Sequence, residues 1–375
     1  MHKKYLSKLD AIRGIAILGV FLFHLYVRVF DIGNFNWQFF EAAFKEPQSF
    51  SFYAFYIFSY GWVGVPIFFV LSGFVNHWSY LNARKFSIKG FFVRRFWRIY
   101  PSYLIALLYF AFIHRGGSID TQGIRDFIAH IFLVHNLSES YIFGFNNSFW
   151  SIAVEAQFYL LYPFMLYLRS FIGIRRTLLS ALALSIAIRV LAVAVQGSSV
   201  FDSFTISEYT LVSWFHWILG AYLAEQYYNE KPAFQISPLW NIGLLLVFIV
   251  CTSFQVTFPL SSSIAALLTA IFLERYITSD DTLPSCFSVW LSPLGLCSYS
   301  FYLWHEPLIS RALFFLRRMG LPNNQLATLT VGNVAVFGIF FLGSWGLFKT
   351  IEKWGVTVGK QLGKVGSQKL ARKRS

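Results

Sequence analysis

The chain is organised as long apolar blocks separated by short polar segments, with no sustained two-residue alternation of the kind that marks half-buried strands. A helix needs about 20 mainly apolar residues to cross the hydrocarbon core of a bilayer. On that measure about ten blocks are predicted as spans, at residues 9–30, 52–76, 99–113, 149–168, 177–195, 208–228, 238–256, 261–277, 293–316 and 325–349. The third is short, and the apolar stretch from Ile124 to Val134 is shorter still, which suits a re-entrant or interfacial piece. The expected fold is an all-α integral membrane protein, a polytopic bundle of about ten transmembrane helices. The longest remaining stretch, residues 114–148, is too short to hold a core of its own. One transmembrane domain is therefore expected over residues 1–350, followed by a basic tail at 351–375. The first block is too long for a signal-peptide core and no small-residue cleavage site follows it, so it is expected to be retained.

Composition agrees. Of 375 residues 56% are hydrophobic, 20% aromatic and only 13% charged, against about 25% charged in soluble domains. That excludes a soluble enzyme, a disordered scaffold and a secreted disulfide domain. The three cysteines, Cys251, Cys286 and Cys297, have no metal-site spacing and form no disulfide framework. The net charge of +14 could point to nucleic acid, but the basic residues gather at the ends of apolar blocks. They include Lys3, Lys4 and Lys8, then Arg84 to Arg98, then Arg169, Arg175 and Arg176, and finally the tail from Lys349 to Arg374. The positive-inside rule places that face, and both termini, in the cytoplasm. Arg317 and Arg318 fall on the opposite side and are the main exception.

Ionisable side chains inside a span cost about 2.5–3.5 kcal/mol on insertion scales and usually face a cavity or a partner. Arg13 and His24 both lie in the first block. Eleven residues at 100° bring them within roughly 20° of each other on one helix face, about 16 Å apart along the axis. A snorkelling arginine and a packed core histidine would explain each alone; together on one face they suit a functional pair. In the fourth block Glu155 lies six residues from the predicted outer end, as His24 does in the first, so the two are expected at equal depth. A carboxylate beside an imidazole fixes its tautomer and strengthens it as a base. Arg94, Arg95 and Arg98, before the third block, set topology or offer guanidinium forks to phosphate. Gly61, Gly64, Gly73 and Ser72 form a small-residue face suited to close helix packing. The ninth block, with Ser298, Tyr299, Tyr302, His305 and Glu306, reads as a cavity wall or a hydrogen-bonded helix contact.

The segments LDAIRGIAILGVFLFH, GWVGVPIFFVLSGF, RRFWRIYP, FWSIAVEAQFYLLYPF, FHWILGAYLA and LGLCSYSFYLWHEPL recur in order from residue 6 to about 308. Together they resemble the membrane acyltransferase 3 family, with Ala11 where glycine is common and Pro66 where many members carry a polar residue. The resemblance implies transfer of an acyl group, typically acetyl from acetyl-CoA, to a hydroxyl of a surface polysaccharide or lipid-linked sugar. It implies a multi-pass protein of the bacterial cytoplasmic (inner) membrane, in the short form without a fused soluble domain. His24 and Glu155 would be catalytic, and Arg13, Arg94, Arg95 and Arg98 would hold the CoA phosphates. Trp150, Ser298, Tyr299, Tyr302 and His305 would line the substrate cavity. The expected partners are the lipid bilayer, the glycan acceptor and glycan-assembly enzymes; neither a metal nor nucleic acid is expected. Direct transfer and an acyl-histidine intermediate both fit, as do acetyl and succinyl groups. The alternative from another class is a transporter or flippase of an amphipathic sugar-lipid, against which stands the lack of internal repeats.

Overall fold

The computed structural model describes residues 2–33, 36–114, 121–197, 208–235, 237–279 and 285–372; for residues 2–7, 36, 114, 238, 285–288 and 364–372 only the backbone is described. The charges of Lys3, Lys4 and the tail beyond 363, and the thiol of Cys286, therefore lie outside the described side chains. The described residues form helices and turns with no strand. α1 spans His2–Phe30, followed by the short α2 (Asn36–Lys45) and α3 (Phe50–Ala54). A 3-10 stretch, Tyr56–Val63, leads into α4 (Gly64–Leu81). α5 is Ile88–Leu108, α6 Thr121–Ile131, α7 Phe149–Ile172 and α8 Ile174–Gln196. α9 (Thr210–Tyr228), α10 (Pro238–Ser253) and α11 (Phe258–Thr278) come next. The chain ends in α12 (Ser285–Leu296), α13 (Ser298–Arg318), α14 (Asn333–Leu347) and α15 (Lys353–Arg372).

Every predicted span falls on helix, and among the described residues seven helical stretches are long and apolar enough to cross a membrane. The other three blocks differ for identifiable reasons. α9 carries His216 and Glu225 and is buried from Val212 to Ala224, so its neighbours, not lipid, are its solvent. α10 is simply short. The ninth block is two helices that break at Cys297, just after Pro293 and Gly295. The third span also begins earlier than predicted. α5 starts at Ile88 with Ser87 accepting from the Gly90 N–H as its cap, and Pro101 lies inside the helix. Pro101 has no N–H for the Trp97 carbonyl, and Gly355 of α15 packs against that carbonyl. The last helix thus continues beyond residue 350 and lies along α5 through Gly355, Gly359 and Gly363.

Close approach holds the centre together. Gly73 of α4 sits on the Trp217 carbonyl of α9, and Gly220 of α9 sits on the Val70 carbonyl of α4; a Cβ at either would overlap backbone. α1 meets α12 in the same way, through Gly14 on Leu291 and Gly295 on Asp10. Small residues at such crossings let backbones pack without a hydrophobic drive between helices.

Contacts gather the basic ends at one end of the bundle. Lys8 donates to the carbonyls of Tyr276 and Ser279, both at 2.7 Å, joining the start of α1 to the end of α11. Arg169 and His77 meet on Glu225. Midway along α5, α6 packs beside it, with Tyr103 and Tyr100 donating to the carbonyls of His130 and Ile131. There the rings of His130 and His135 stack with centroids 3.7 Å apart. Burial, then the His130 ring, pushes the His135 pKa well below its ordinary value of 6.5. The folded chain therefore holds His135 neutral where the unfolded chain takes up a proton, so stability is full above about pH 6.5 and falls as pH drops below it. The thermal midpoint in detergent should fall progressively from pH 7 to pH 5, and His135→Phe should flatten that dependence. An unchanged slope in the variant would remove His135 as its source.

Candidate active site

A cavity of about 270 Å³ opens among α1, α4, α5, α7 and the final helices at the basic end of the bundle. Arg13, Arg95 and Arg98 all line it. Arg13 comes from the first turns of α1 and is held by Asp10, one turn earlier, at 2.7 Å. Arg95 and Arg98 stand one turn apart on α5. The Arg95 guanidinium lies over the rings of Phe91 and Tyr159 at 5.5 and 5.6 Å, and its buried Nε has no hydrogen-bond acceptor. Neither Arg95 nor Arg98 makes an ion pair among the described residues. Two guanidinium groups without a direct ion pair, facing a polar cavity that Asp10, Glu155 and Glu352 also line, offer forks to an anion. Arg94 is separate: its side chain packs against Gly363 of α15, and its backbone against Gly359, rather than lining the cavity.

Glu155 lines the same cavity. Its Oε1 accepts from the hydroxyls of Ser72, at 2.8 Å, and Tyr159, at 2.6 Å. Ser72 in turn accepts from Trp217 Nε1 at 3.2 Å and Asn76 Nδ2 at 3.2 Å. Glu352, at the far end of the chain, completes the wall and accepts from Ser300 Oγ at 2.9 Å.

A second cavity, about 90 Å³, lies further along α1. His24 lines it, among Phe23, Trp62, Trp150 and Phe258. Its ring centroid is 5.1 Å from that of His305. Within the hydrogen-bonding distance of 2.9 Å, His305 Nδ1 meets the Tyr302 carbonyl, so that nitrogen carries the proton. Nε2 is left as a buried, unpaired acceptor. The two cavities share Val65 and Tyr302 as wall, and Tyr302 is fixed there by a 2.7 Å bond between its hydroxyl and that of Ser151.

The arrangement departs from the sequence expectation at its centre. His24 and Glu155 line different cavities, and the expected pair between them is not formed. Depth counted from the start of α7 misleads because that start is itself buried. Asn146 and Ser148 are 2% and 1% exposed, and Asn146 donates to the Leu303 carbonyl at 2.9 Å. Glu155 therefore sits deeper than six residues from an exposed end would put it, level with the arginines. His305 is the ring beside His24 instead. Of the other expected lining residues, Tyr302 borders both cavities, Trp150 borders the second, and Ser298 and Tyr299 border the first. Sequence reasoning missed Asp10, Glu352 and Glu208. Glu352 follows an apolar stretch and could have been flagged by the rule that flagged Glu155. Glu208 lines the His24 cavity and accepts from Ser213 at 3.1 Å; no pattern in its surroundings marks it.

The model of the acyltransferase 3 family, described as an acyltransferase domain, matches residues 6–349. The chain belongs to that family. It is 26% identical over 342 residues to the peptidoglycan O-acetyltransferase OatA of Listeria monocytogenes, covering 82% of this chain and 50% of that protein. It is 28% identical over 355 residues to the O-acetyltransferase OatA of Staphylococcus aureus, covering 82% and 51%. The chain thus spans about half the length of these relatives. No solved structure matches it significantly.

The Glu155 cluster makes a direct prediction. Tyr159→Phe removes one donor from a half-buried carboxylate and should lower stability by about 1–3 kcal/mol. Adding Ser72→Ala should cost more than the sum of the two single changes, because the second loss strips the last close donor. Thermal unfolding of the four proteins of this cycle checks it; strict additivity would mean that the two hydroxyls do not share one carboxylate.

Proposed function

We propose that this protein is a membrane-embedded O-acyltransferase that moves an acyl group, acetyl in the first instance, from cytoplasmic acyl-CoA to a hydroxyl of a surface polysaccharide or lipid-linked sugar. One observation carries the reading: two cavities follow one another along α1, arginine-rich at one end and centred on a histidine at the other, with a common wall at Val65 and Tyr302. Family membership and the O-acetyltransferase relatives support the reaction class. In this reading the basic end faces the cytoplasm of the cell, as the positive-inside rule requires, in the bacterial inner membrane. Peptidoglycan, in the name of the Listeria relative, is one member of the acceptor class.

The donor fits the first cavity on chemical grounds. Its phosphates need cationic forks, and Arg95 and Arg98 make no direct ion pair among the described residues, with Arg13 beside them. Arg94, turned to α15, contributes charge at the mouth rather than a contact. Glu155 keeps Ser72 and Tyr159 ordered and balances the arginines when the donor is absent. The acyl thioester then reaches along α1 towards His24. There the acceptor oxygen attacks the thioester carbonyl, His24 takes the hydroxyl proton, the C–S bond breaks and the thiolate leaves, to be protonated in turn. If His24 itself is acylated first, the same bonds break and form in two steps. His305, its proton fixed on Nδ1 by Tyr302, has its ring centre 5.1 Å from that of His24, and its unpaired Nε2 is the acceptor through which we propose it orients that ring.

Labelled acetyl-CoA supplied to inverted vesicles with a glycan acceptor tests the reading. His24→Ala should lose about 10²–10⁴-fold in transfer; an undiminished rate would overturn it. Arg95→Gln with Arg98→Gln should raise the KM for acetyl-CoA about tenfold or more, with a smaller change in kcat. His305→Gln should shift the pH profile of transfer while leaving the KM for acetyl-CoA unchanged.

A further inference from the structure

A third cavity, about 290 Å³, lies at the end of the bundle opposite the basic face. Its charged lining is Arg28 of α1 and Arg317 of α13, and no carboxylate lines it. Arg317 is one of the two residues that break the positive-inside pattern, and it makes no ion pair among the described residues. Arg28 is only loosely compensated, by Glu306 at 3.4 Å. Two of the three amides in the lining, Asn324 and Gln325, have their oxygens already engaged. Asn324 Oδ1 accepts from the Ala327 N–H at 2.7 Å. Gln325 Oε1 accepts from Ser49 at 2.6 Å and Ser51 at 3.1 Å. What both amides retain is their NH₂ donors. A pocket with two guanidinium groups, two spare amide donors and no acid selects an anion of several acceptor oxygens.

We infer that this pocket binds a lipid-borne phosphate. Depth argues for the lipid. Arg28 and Arg317 lie two residues and one residue from the ends of their helices, where headgroups meet the hydrocarbon boundary. Position argues for a role in the reaction. Arg28 follows His24 by four residues, one turn along the same face of α1 and about 6 Å further out. Asn147 connects the two places, lining the His24 cavity while donating to Glu306 at 3.3 Å. A sugar carried on phosphate would thus be held by its phosphate with its hydroxyls near His24. That orienting role rests on the function proposed above; the binding does not. Arg318 supplies the contrast: its guanidinium lies over the Phe314 ring at 4.6 Å and is outside the pocket lining.

Native mass spectrometry of the full chain in non-ionic detergent tests the site, with no acyl donor present. The probes are a polyprenyl monophosphate, phosphatidylglycerol, and a phosphate-free polyprenol. The wild type should retain the phosphate-bearing lipids over polyprenol. Arg317→Gln, which breaks no internal ion pair, should weaken that retention about tenfold, and Arg28→Gln with Arg317→Gln further; Arg318→Gln should not. Loss confined to polyprenyl phosphate identifies a carrier lipid as the source, and equal loss of phosphatidylglycerol identifies bilayer headgroups. Retention unchanged in Arg317→Gln, or matched by polyprenol in the wild type, overturns the proposal. A protein that binds phosphate through Arg317 yet transfers no acyl group counts against the reading of His24 and leaves this site standing.

Discussion

A carboxylate inside a helical bundle persists only if donors surround it, because an unpaired buried charge costs several kcal/mol. Glu155 meets that requirement with Ser72 of α4 and Tyr159 one turn along its own helix. Through Ser72 the same carboxylate reaches Trp217 of α9, and through the Tyr159 ring it reaches Arg95 of α5. Four helices are thereby registered around one charge. The glycine crossings at Gly73 and Gly220 set how closely α4 and α9 approach, and that approach is what brings Ser72 and Trp217 within hydrogen-bonding distance. The arginine cavity adjoins this cluster, with Arg13, Arg95 and Arg98 sharing its wall with Asp10, Glu155 and Glu352.

Much of this was legible in the sequence. Hydropathy located the spans because lipid-facing and helix-facing surfaces are both apolar. It does not separate a lipid-facing helix from one surrounded by protein, as α9 is, and a break such as that at Cys297 has no hydropathy signature. Helical periodicity put Arg13 and His24 on one face of α1, and the structure seats them in successive cavities along it. Arg95 and Arg98 joined Arg13; Arg94, on a different face of α5, did not.

The His24–Glu155 pair failed for a reason of geometry. Depth was counted from the ends of helices as though each end lay at the membrane surface. The segment before α7 is folded inward, with Asn146 tied to α13, so the count began from the wrong plane. The ring beside His24 is that of His305, 5.1 Å away between centres, in a motif that reads from the sequence as a cavity wall or a hydrogen-bonded helix contact.

The wall shared by the two cavities has a consequence at the level of the cell. A continuous aqueous passage along α1 would let ions run down the membrane potential, which is worth about 2.3 kcal/mol per charge for every 100 mV. Val65 and Tyr302, the latter clasped to Ser151, stand between the two spaces. A group passed across that point can change compartments while the bilayer keeps its electrical insulation.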